Sequence, residues 1–296
     1  MKSGFVSLIG RPNVGKSTLL NAIVRRKVAI TSSTAQTTRN MIQGVYHGDE
    51  LQIVFVDTPG IHKPQNKLGK VINKQAYYTL DDVDVILFLT DVTQSLGTGD
   101  RFIIEKLKET KVPVILVLNK IDKIPYEKIL PKIQEYKDLY DFKEIVPVSA
   151  FKEKNIEDLI KTVSKYLNDD VKYYDDETVT NVSTAFSISE LIREKVLYHT
   201  KEEVPHSVAC IVDEISEDRN NVRVIASIIV DRASLKKILI GKNGSMIKKI
   251  GTAARIDVET FLNKRVFLDL KVKVIENWRD RDQFLSGQLG YEDIND

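Results

Sequence analysis

Apolar and polar positions set two different rhythms along the chain. In the first half, short and nearly continuous apolar runs alternate with amphipathic stretches. The runs are FVSLI near residue 5, LQIVFVDT, VDVILFLTDV, VPVILVLNK and EIVPVS. Strands that are apolar on both faces are buried on both faces, which predicts a mostly parallel sheet. Helical periodicity between them predicts helices over 16–25, 68–80, 99–110, 127–140 and 155–167. This alternation is the pattern of a doubly wound α/β domain, which binds ligands outside the carboxyl ends of its strands.

Past residue 180 the order changes. A helix over 187–199 precedes strands over 208–215 and 222–230, with a turn at Arg219-Asn220-Asn221. Two helices joined by Gly241-Lys242-Asn243-Gly244 follow, and then a strand over 261–275. An α-β-β-α-α-β order predicts a separate α+β domain. Between the halves lies NDDVKYYDDETVT, acidic and without a helical stripe, which reads as a linker or as an ordinary surface loop. The expected division is 1–170, a linker over 171–182, and 183–296.

Composition changes this picture little. The length of 296 residues favours about two domains. Lys+Arg 44 against Asp+Glu 42 gives a net charge of +2, neither a polybasic arm nor an acidic tail. The single cysteine, Cys210, excludes an intramolecular disulfide, and His47, His62, His199 and His206 are too scattered for zinc-ligand spacing. The apolar runs fall short of the ~20 residues of a spanning helix, and no signal-peptide pattern is seen. A soluble, cytoplasmic protein is expected.

Gly10-Arg11-Pro12-Asn13-Val14-Gly15-Lys16-Ser17 fits G-x-x-x-x-G-K-[ST], with a strand before it and a helix after. Its glycines let backbone N–H groups form an anion nest at a helix N-terminus. Lys16 places a charge on the β- and γ-phosphates, and Ser17 offers a hydroxyl to Mg²⁺. Gly10, Asn13, Val14, Gly15, Lys16, Ser17 and Thr18 are the expected contacts here. Asp57-Thr58-Pro59-Gly60 closes a strand at the same end of the sheet, so Asp57 can hold Mg²⁺ through water and the Gly60 N–H can bond the γ-phosphate. The polar run TSSTAQTTRN fits a loop that supplies Thr38 as a second Mg²⁺ ligand, with Thr37 as its rival. Lys16, Thr38 and Gly60 are the catalytic candidates.

Asn119-Lys120-Ile121-Asp122 follows another strand. The Asp122 carboxylate can accept from guanine N1–H and the 2-amino group, which adenine does not offer. Asn119 can tie loops together, the Lys120 stem can cover the ring, and a backbone N–H of Ser149-Ala150 can reach guanine O6. Each tetrapeptide is unremarkable alone. Four of them in order, each at a strand end, point to a guanine nucleotide.

At this point residues 1 to about 175 resemble a small GTPase of the translation-factor-related class. GRPNVGKSTLLNA, QTTRN, DTPGIH, NKID and VSA are similar to its Era branch. The resemblance implies a P-loop GTPase fold that turns GTP into GDP and phosphate with Mg²⁺. Many GTPases carry a Gln after D-x-x-G to orient water; here that position is Ile61, with His62 the nearest polar group, so intrinsic turnover is expected to be slow. In related GTPases an Asn at the position of Asn13 helps hold K⁺ beside the phosphates, which makes K⁺ a further expected cation.

Arg232, Lys236, Lys237, Lys242, Lys248, Lys249 and Arg255 form a basic cluster with no acidic residue between Asp231 and Asp257. That is the footprint of a nucleic-acid site. Gly241 and Gly244 allow close backbone approach to phosphates, and Ile240, Ile247 and Ile250 can pack the helices or floor a groove for bases. A second G-x-x-G, Gly287 to Gly290, has no such context and reads as a C-terminal turn. Trp278 reads as a core or edge residue before a stacking one. The candidate RNA contacts are Lys236, Lys237, Ile240, Gly241, Lys242, Asn243, Gly244, Lys248 and Lys249.

This half resembles a type II KH domain. The combination implies a GTP-gated factor in small-subunit assembly, bound near the 3′ end of small-subunit ribosomal RNA, with peripheral contact to the inner face of the membrane. No DNA partner is expected, and a monomer is. Two other readings stay open: an RNA-binding protein that holds nucleotide without turnover, and a GTPase subunit of an RNA-modifying enzyme.

Overall fold

A computed structural model describes residues 1–32, 34, 37–60, 66–78, 82–218 and 221–291. Ile61, His62, Arg219 and Asn220 lie outside the described residues. The chain divides into two compact units whose main changeover falls between Asn181 and Val182; of the earlier described residues, 32, 34 and 66–71 group with the second.

In the first unit the apolar runs become strands β1 (Lys2–Gly10), β3 (Leu51–Asp57), β4 (Val85–Asp91), β5 (Val114–Asn119) and β6 (Glu144–Pro147). With β2 (Ile42–Gly48) they form a six-stranded sheet in the order β2-β3-β1-β4-β5-β6. Every pairing is parallel except β2 with β3. The sequence reading missed β2, because IQGVYHG is an edge strand of mixed polarity rather than a doubly buried run. Helices α1 (Lys16–Val24), α2 (Lys67–Tyr78), α3 (Thr98–Leu107), α4 (Ile129–Lys137) and α5 (Ile156–Ser164) connect the strands. One core gathers Ile9, Phe88, Leu116 and Leu118 from the sheet with Ile103, Ile104 and Leu107 of α3 and Tyr136 of α4. Parallel register brings Gly10, Asp57, Asp91 and Asn119 to the same sheet end.

The segment expected as a linker is ordered through Asn181 and belongs to the first unit. Residues 169–181 form a strap along the sheet. The Val171 N–H donates to Ser3 Oγ (3.2 Å), and the Val45 N–H donates to the Val179 carbonyl (2.9 Å). Thr180 Oγ1 donates to the Gln43 carbonyl (2.7 Å), and the Gln43 N–H donates to Asn181 Oδ1 (3.0 Å). The Tyr173 ring stands edge-on to Phe5, 4.7 Å between centroids. An edge strand needs partners for its backbone, and the strap supplies them; acidic composition alone does not disclose this.

The second unit follows α6 (Thr184–His199), β7 (Val208–Asp218), β8 (Asn221–Val230), α7 (Ala233–Ile240), α8 (Ser245–Leu262), β9 (Arg265–Val274) and α9 (Asp282–Leu289). Its sheet runs β7-β8-β9, with β7 antiparallel and β9 parallel to β8. Alternate residues of β8, Val222, Val224, Ala226, Ile228 and Val230, are buried, as are Ile250, Ala254 and Val258 along one stripe of α8. This is the α+β order expected, with one helix added. The G-x-x-G at Gly287 to Gly290 is not a free turn: it closes α9, and Gly290 takes φ 69° as its C-cap. Trp278 is fully buried and donates from Nε1 to the Ser207 carbonyl (3.1 Å), which rules it out as an exposed stacking surface.

Candidate nucleotide site and nucleic-acid interface

The phosphate loop leaves β1 at Gly10 and enters α1 at Lys16. Asn13 (φ 64°) and Gly15 (φ 104°) both take left-handed backbone. A Cβ on Gly15 would lie 2.3 Å from Asn119 Nδ2, so only glycine lets the base-side loop close over it. Val14 is buried and Thr18 half-buried on the first turn of α1. Lys16 is itself buried, its ammonium donating to the carbonyls of Gly10 (3.0 Å) and Arg11 (3.2 Å). Burial lowers its pKa to about 8, partly offset by the Asp57 charge.

The three expected metal ligands meet. Ser17 Oγ lies 2.6 Å from Asp57 Oδ2 and 2.8 Å from Thr38 Oγ1, and Thr38 Oγ1 is 3.4 Å from the same carboxylate oxygen. Of the two threonines left open by sequence, Thr38 places its hydroxyl in this cluster. Asp57 is fully buried; burial lifts its pKa to about 6, against the pull of Lys16 and of the Ser17 and Thr38 hydroxyls. Its Oδ1 is buried without a hydrogen-bond partner. A set of hard oxygen donors with one orphaned carboxylate oxygen fits Mg²⁺. Thr58 Oγ1 donates to the Leu8 carbonyl (2.7 Å) and fixes the turn after β3, while a Cβ on Gly60 would stand 3.0 Å from Pro12.

On the base side Asn119 is buried. Its Nδ2 donates to the Val14 carbonyl (2.9 Å), and its Oδ1 accepts from the N–H groups of Lys120 (2.8 Å) and Ala150 (3.0 Å). Asn119 therefore ties the phosphate loop to the last strand end. Asp122 is exposed and accepts from Ser149 Oγ (2.6 Å). Lys120 Nζ donates to the Asn13 carbonyl (2.8 Å) and to Asp91 Oδ2 (2.6 Å). Sequence reasoning missed Asp91. Burial works to raise its carboxyl, but the bonds from Lys120 and Thr93 prevail and hold it below the usual range. The available signal was an aspartate ending an apolar strand in register with Asn119.

In the second unit Gly241 (φ 72°) and Gly244 (φ 77°) flank an exposed Lys242 and Asn243, the latter at φ 52°. A Cβ on Gly241 would lie 2.8 Å from Met246 Cβ, whereas nothing lies within 4 Å of one on Gly244. Lys237, Lys242, Lys248 and Lys249 are exposed and Lys236 half-buried, and none of them makes a salt bridge among the described residues. The two arginines of the cluster are committed elsewhere, Arg232 to Glu203 and Arg255 to Glu259. Ile240 and Ile247 are half-buried beside the loop. Ile250 is not a groove residue, since it is fully buried in the core. Ile238 and Ile256, 51% and 54% exposed, are apolar positions that the sequence reading passed over.

A phosphate loop, a hydroxyl–carboxylate cluster and a guanine-type N-K-x-D turn at one sheet end define a P-loop GTPase, here followed by a KH-type RNA-binding domain. The family described as 50S ribosome-binding GTPase matches residues 5–120, and the KH domain family matches residues 203–279. Two solved structures are each 41% identical to this chain, with TM-score 0.94, over 98% of it and 99% of their own length. One is a variant of Era from Aquifex aeolicus bound to GDP·AlF4⁻; the other is Era in complex with MgGDPNP and nucleotides 1506–1542 of 16S ribosomal RNA. The chain belongs to the Era family of GTPases. Among the described residues no helix is long and apolar enough to cross a membrane.

Proposed function

We propose that this GTPase acts in small ribosomal subunit assembly, gripping RNA near the 3′ end of the small-subunit ribosomal RNA under the control of bound GTP. The observation that carries the reading is the pairing, in one chain, of the Ser17–Thr38–Asp57 cluster with a G-K-N-G loop that exposes Lys242 and Asn243, flanked by lysines that make no salt bridge among the described residues. The Era complex with a 16S fragment supports the choice of RNA.

Ser17, Thr38 and Asp57 would hold Mg²⁺, which when bound neutralises charge on the β- and γ-phosphates. Lys16 exchanges its two carbonyl partners for phosphate oxygens, recovering in the ion pair what burial costs its charge. The N–H groups of the loop and of Gly60 receive the remaining oxygens. Asp122 reads the guanine edge, and the Lys120 stem lies over the ring. The Ala150 N–H already donates to Asn119, so it reaches O6 as a shared donor. Asn13, exposed on the loop, offers an amide oxygen to K⁺, and replacing Na⁺ by K⁺ should then raise steady-state phosphate release. Along the second unit Lys236, Lys237, Lys248 and Lys249 follow the RNA backbone, with Ile240 beside the bases. The protein works in the cytoplasm as a monomer, with peripheral contact to the inner face of the membrane.

The test is crosslinking in cells with sequencing of the bound RNA. Reads should concentrate at the 3′ end of the small-subunit ribosomal RNA. Reads centred on other RNAs would replace this assignment.

A further inference from the structure

Arg11 is a variable position of the phosphate-loop motif, yet it is among the most constrained residues of the loop. Its Nε donates to Asp100 Oδ1 at 2.9 Å, and Asp100, on the first turn of α3, is fully buried. The other oxygen of Asp100 accepts the Gly97 N–H (2.9 Å). Two glycines make room for the arginine. A Cβ on Gly99 would lie 2.8 Å from Arg11 Cδ, and one on Gly97 would lie 3.1 Å from Nη1. The run Gly97-Thr98-Gly99-Asp100 is thus a slot with a carboxylate at its end, shaped to the Arg11 stem.

The arrangement is a poor way to gain stability. A desolvated ion pair returns little net energy even when complete. This one also leaves Arg11 Nη2 buried without a hydrogen-bond partner. What it does fix is position. The backbone of Arg11 is next to that of Gly10, and the carbonyls of these two residues are the ones that receive Lys16 Nζ. The anchor on α3 and the cradle of the catalytic lysine are two ends of one residue.

We infer that Arg11 is a positioning residue for GTP hydrolysis: the Arg11–Asp100 clamp sets the phosphate-loop backbone from which Lys16 reaches the phosphates. Arg11 touches neither the reacting atoms nor the base in this account; it acts through Lys16. Displacements near 1 Å at a reacting centre cost on the order of a hundredfold in rate, so releasing the clamp is a catalytic lesion first. The inference rests on the GTP site alone and is independent of the RNA assignment.

The experiment uses the full chain without RNA and measures steady-state GTP hydrolysis together with the preference for GDP over xanthosine diphosphate. Arg11→Ala should lower kcat at least tenfold and leave the base preference unchanged, because Asp122 and Asn119 stand on the other side of the site. Arg11→Lys keeps a cation and a stem for the slot and should stay within threefold of the parent kcat. Gly99→Ala retains both partners but fills the slot, and should reproduce most of the Arg11→Ala loss. Should Arg11→Ala not fold, the lysine and Gly99 variants decide the matter. A kcat within twofold of the parent in Arg11→Ala or Gly99→Ala would overturn the inference. So would an equal loss of base preference, which marks general damage to the domain, or an Arg11→Lys variant that loses tenfold or more.

Discussion

Lys16 and Lys242 both follow a glycine of positive φ near the start of a helix, and by sequence they look like the same device. In the fold they are opposites. Lys16 is buried, its charge disfavoured, its ammonium held by two carbonyls. Lys242 is exposed and makes no salt bridge among the described residues. The first loop is a closed nest in which a single ligand of fixed shape replaces partners already in place. The second is an open edge where a polymer can pass. Burial, not the glycine pattern, separates a site that reads one molecule from a surface that follows a chain.

The closed site should be the less forgiving. Asp122→Asn should weaken GTP by about a hundredfold and favour xanthosine triphosphate, because the amide can donate to the oxygen that replaces the 2-amino group. Nucleotide competition binding measures this, and unchanged GTP affinity would sink the base assignment. The burial of Asp57 gives a pH signature in the nucleotide-free protein. The folded Asp57 carboxyl keeps its proton up to about pH 6, while the unfolded chain releases it near 3.8, the ordinary value of an aspartate. Between these values the native state binds more protons, so this group's contribution to stability falls as pH rises. The stability of the parent relative to Asp57→Asn should therefore decline between pH 4 and 6, by on the order of 2 kcal/mol, and stay level from there to pH 7.5. Denaturant melts at half-unit pH steps would show it, and a flat difference would mean the carboxylate is not desolvated.

The open loop should respond gradually. Changing Lys242 and Asn243 together to Asp should reduce single-stranded RNA affinity more than tenfold, with a steep salt dependence in the parent and a shallower one in the variant. Basal hydrolysis should not change; RNA binding that survives would move the site to another surface. The smallest effect separates the two glycines. Gly244→Ala meets open space and only the cost of left-handed backbone, about 1–2 kcal/mol. Gly241→Ala adds a clash with Met246 and should cost more in thermal melts. Equal costs would mean the loop relaxes freely.

Much of the nucleotide site was legible because each of its motifs ends a strand: Gly10, Asp57, Asn119 and the residues after β6 all follow runs that burial makes conspicuous. The second domain was legible as an order of elements. What escaped was set by contacts distant in sequence or by the phase of a helix. Asp91 and the Arg11–Asp100 pair join segments that no local periodicity connects. Strand β2 has mixed polarity because it is an edge. Ile240, Ile247 and Ile250 look alike in sequence, but only one of them turns fully into the core. α9 was hidden by glycines that suggest a turn.

The strap over residues 169–181 determines where the polypeptide can be severed. The Gln52 side chain is buried, and its amide group spends its strongest bonds on that strap. Oε1 accepts from the N–H groups of Tyr173 (2.8 Å) and Tyr174 (3.0 Å), and Nε2 donates to the Tyr174 carbonyl (2.8 Å). A nick at 170 strands a buried amide whose unmet groups cost about 1–3 kcal/mol each, and it strips β2 of its outer partner. A nick after Asn181 removes none of these bonds. A nucleotide-binding fragment that keeps these bonds is therefore longer than its last helix suggests, and runs from Ser164, where α5 ends, on through Asn181.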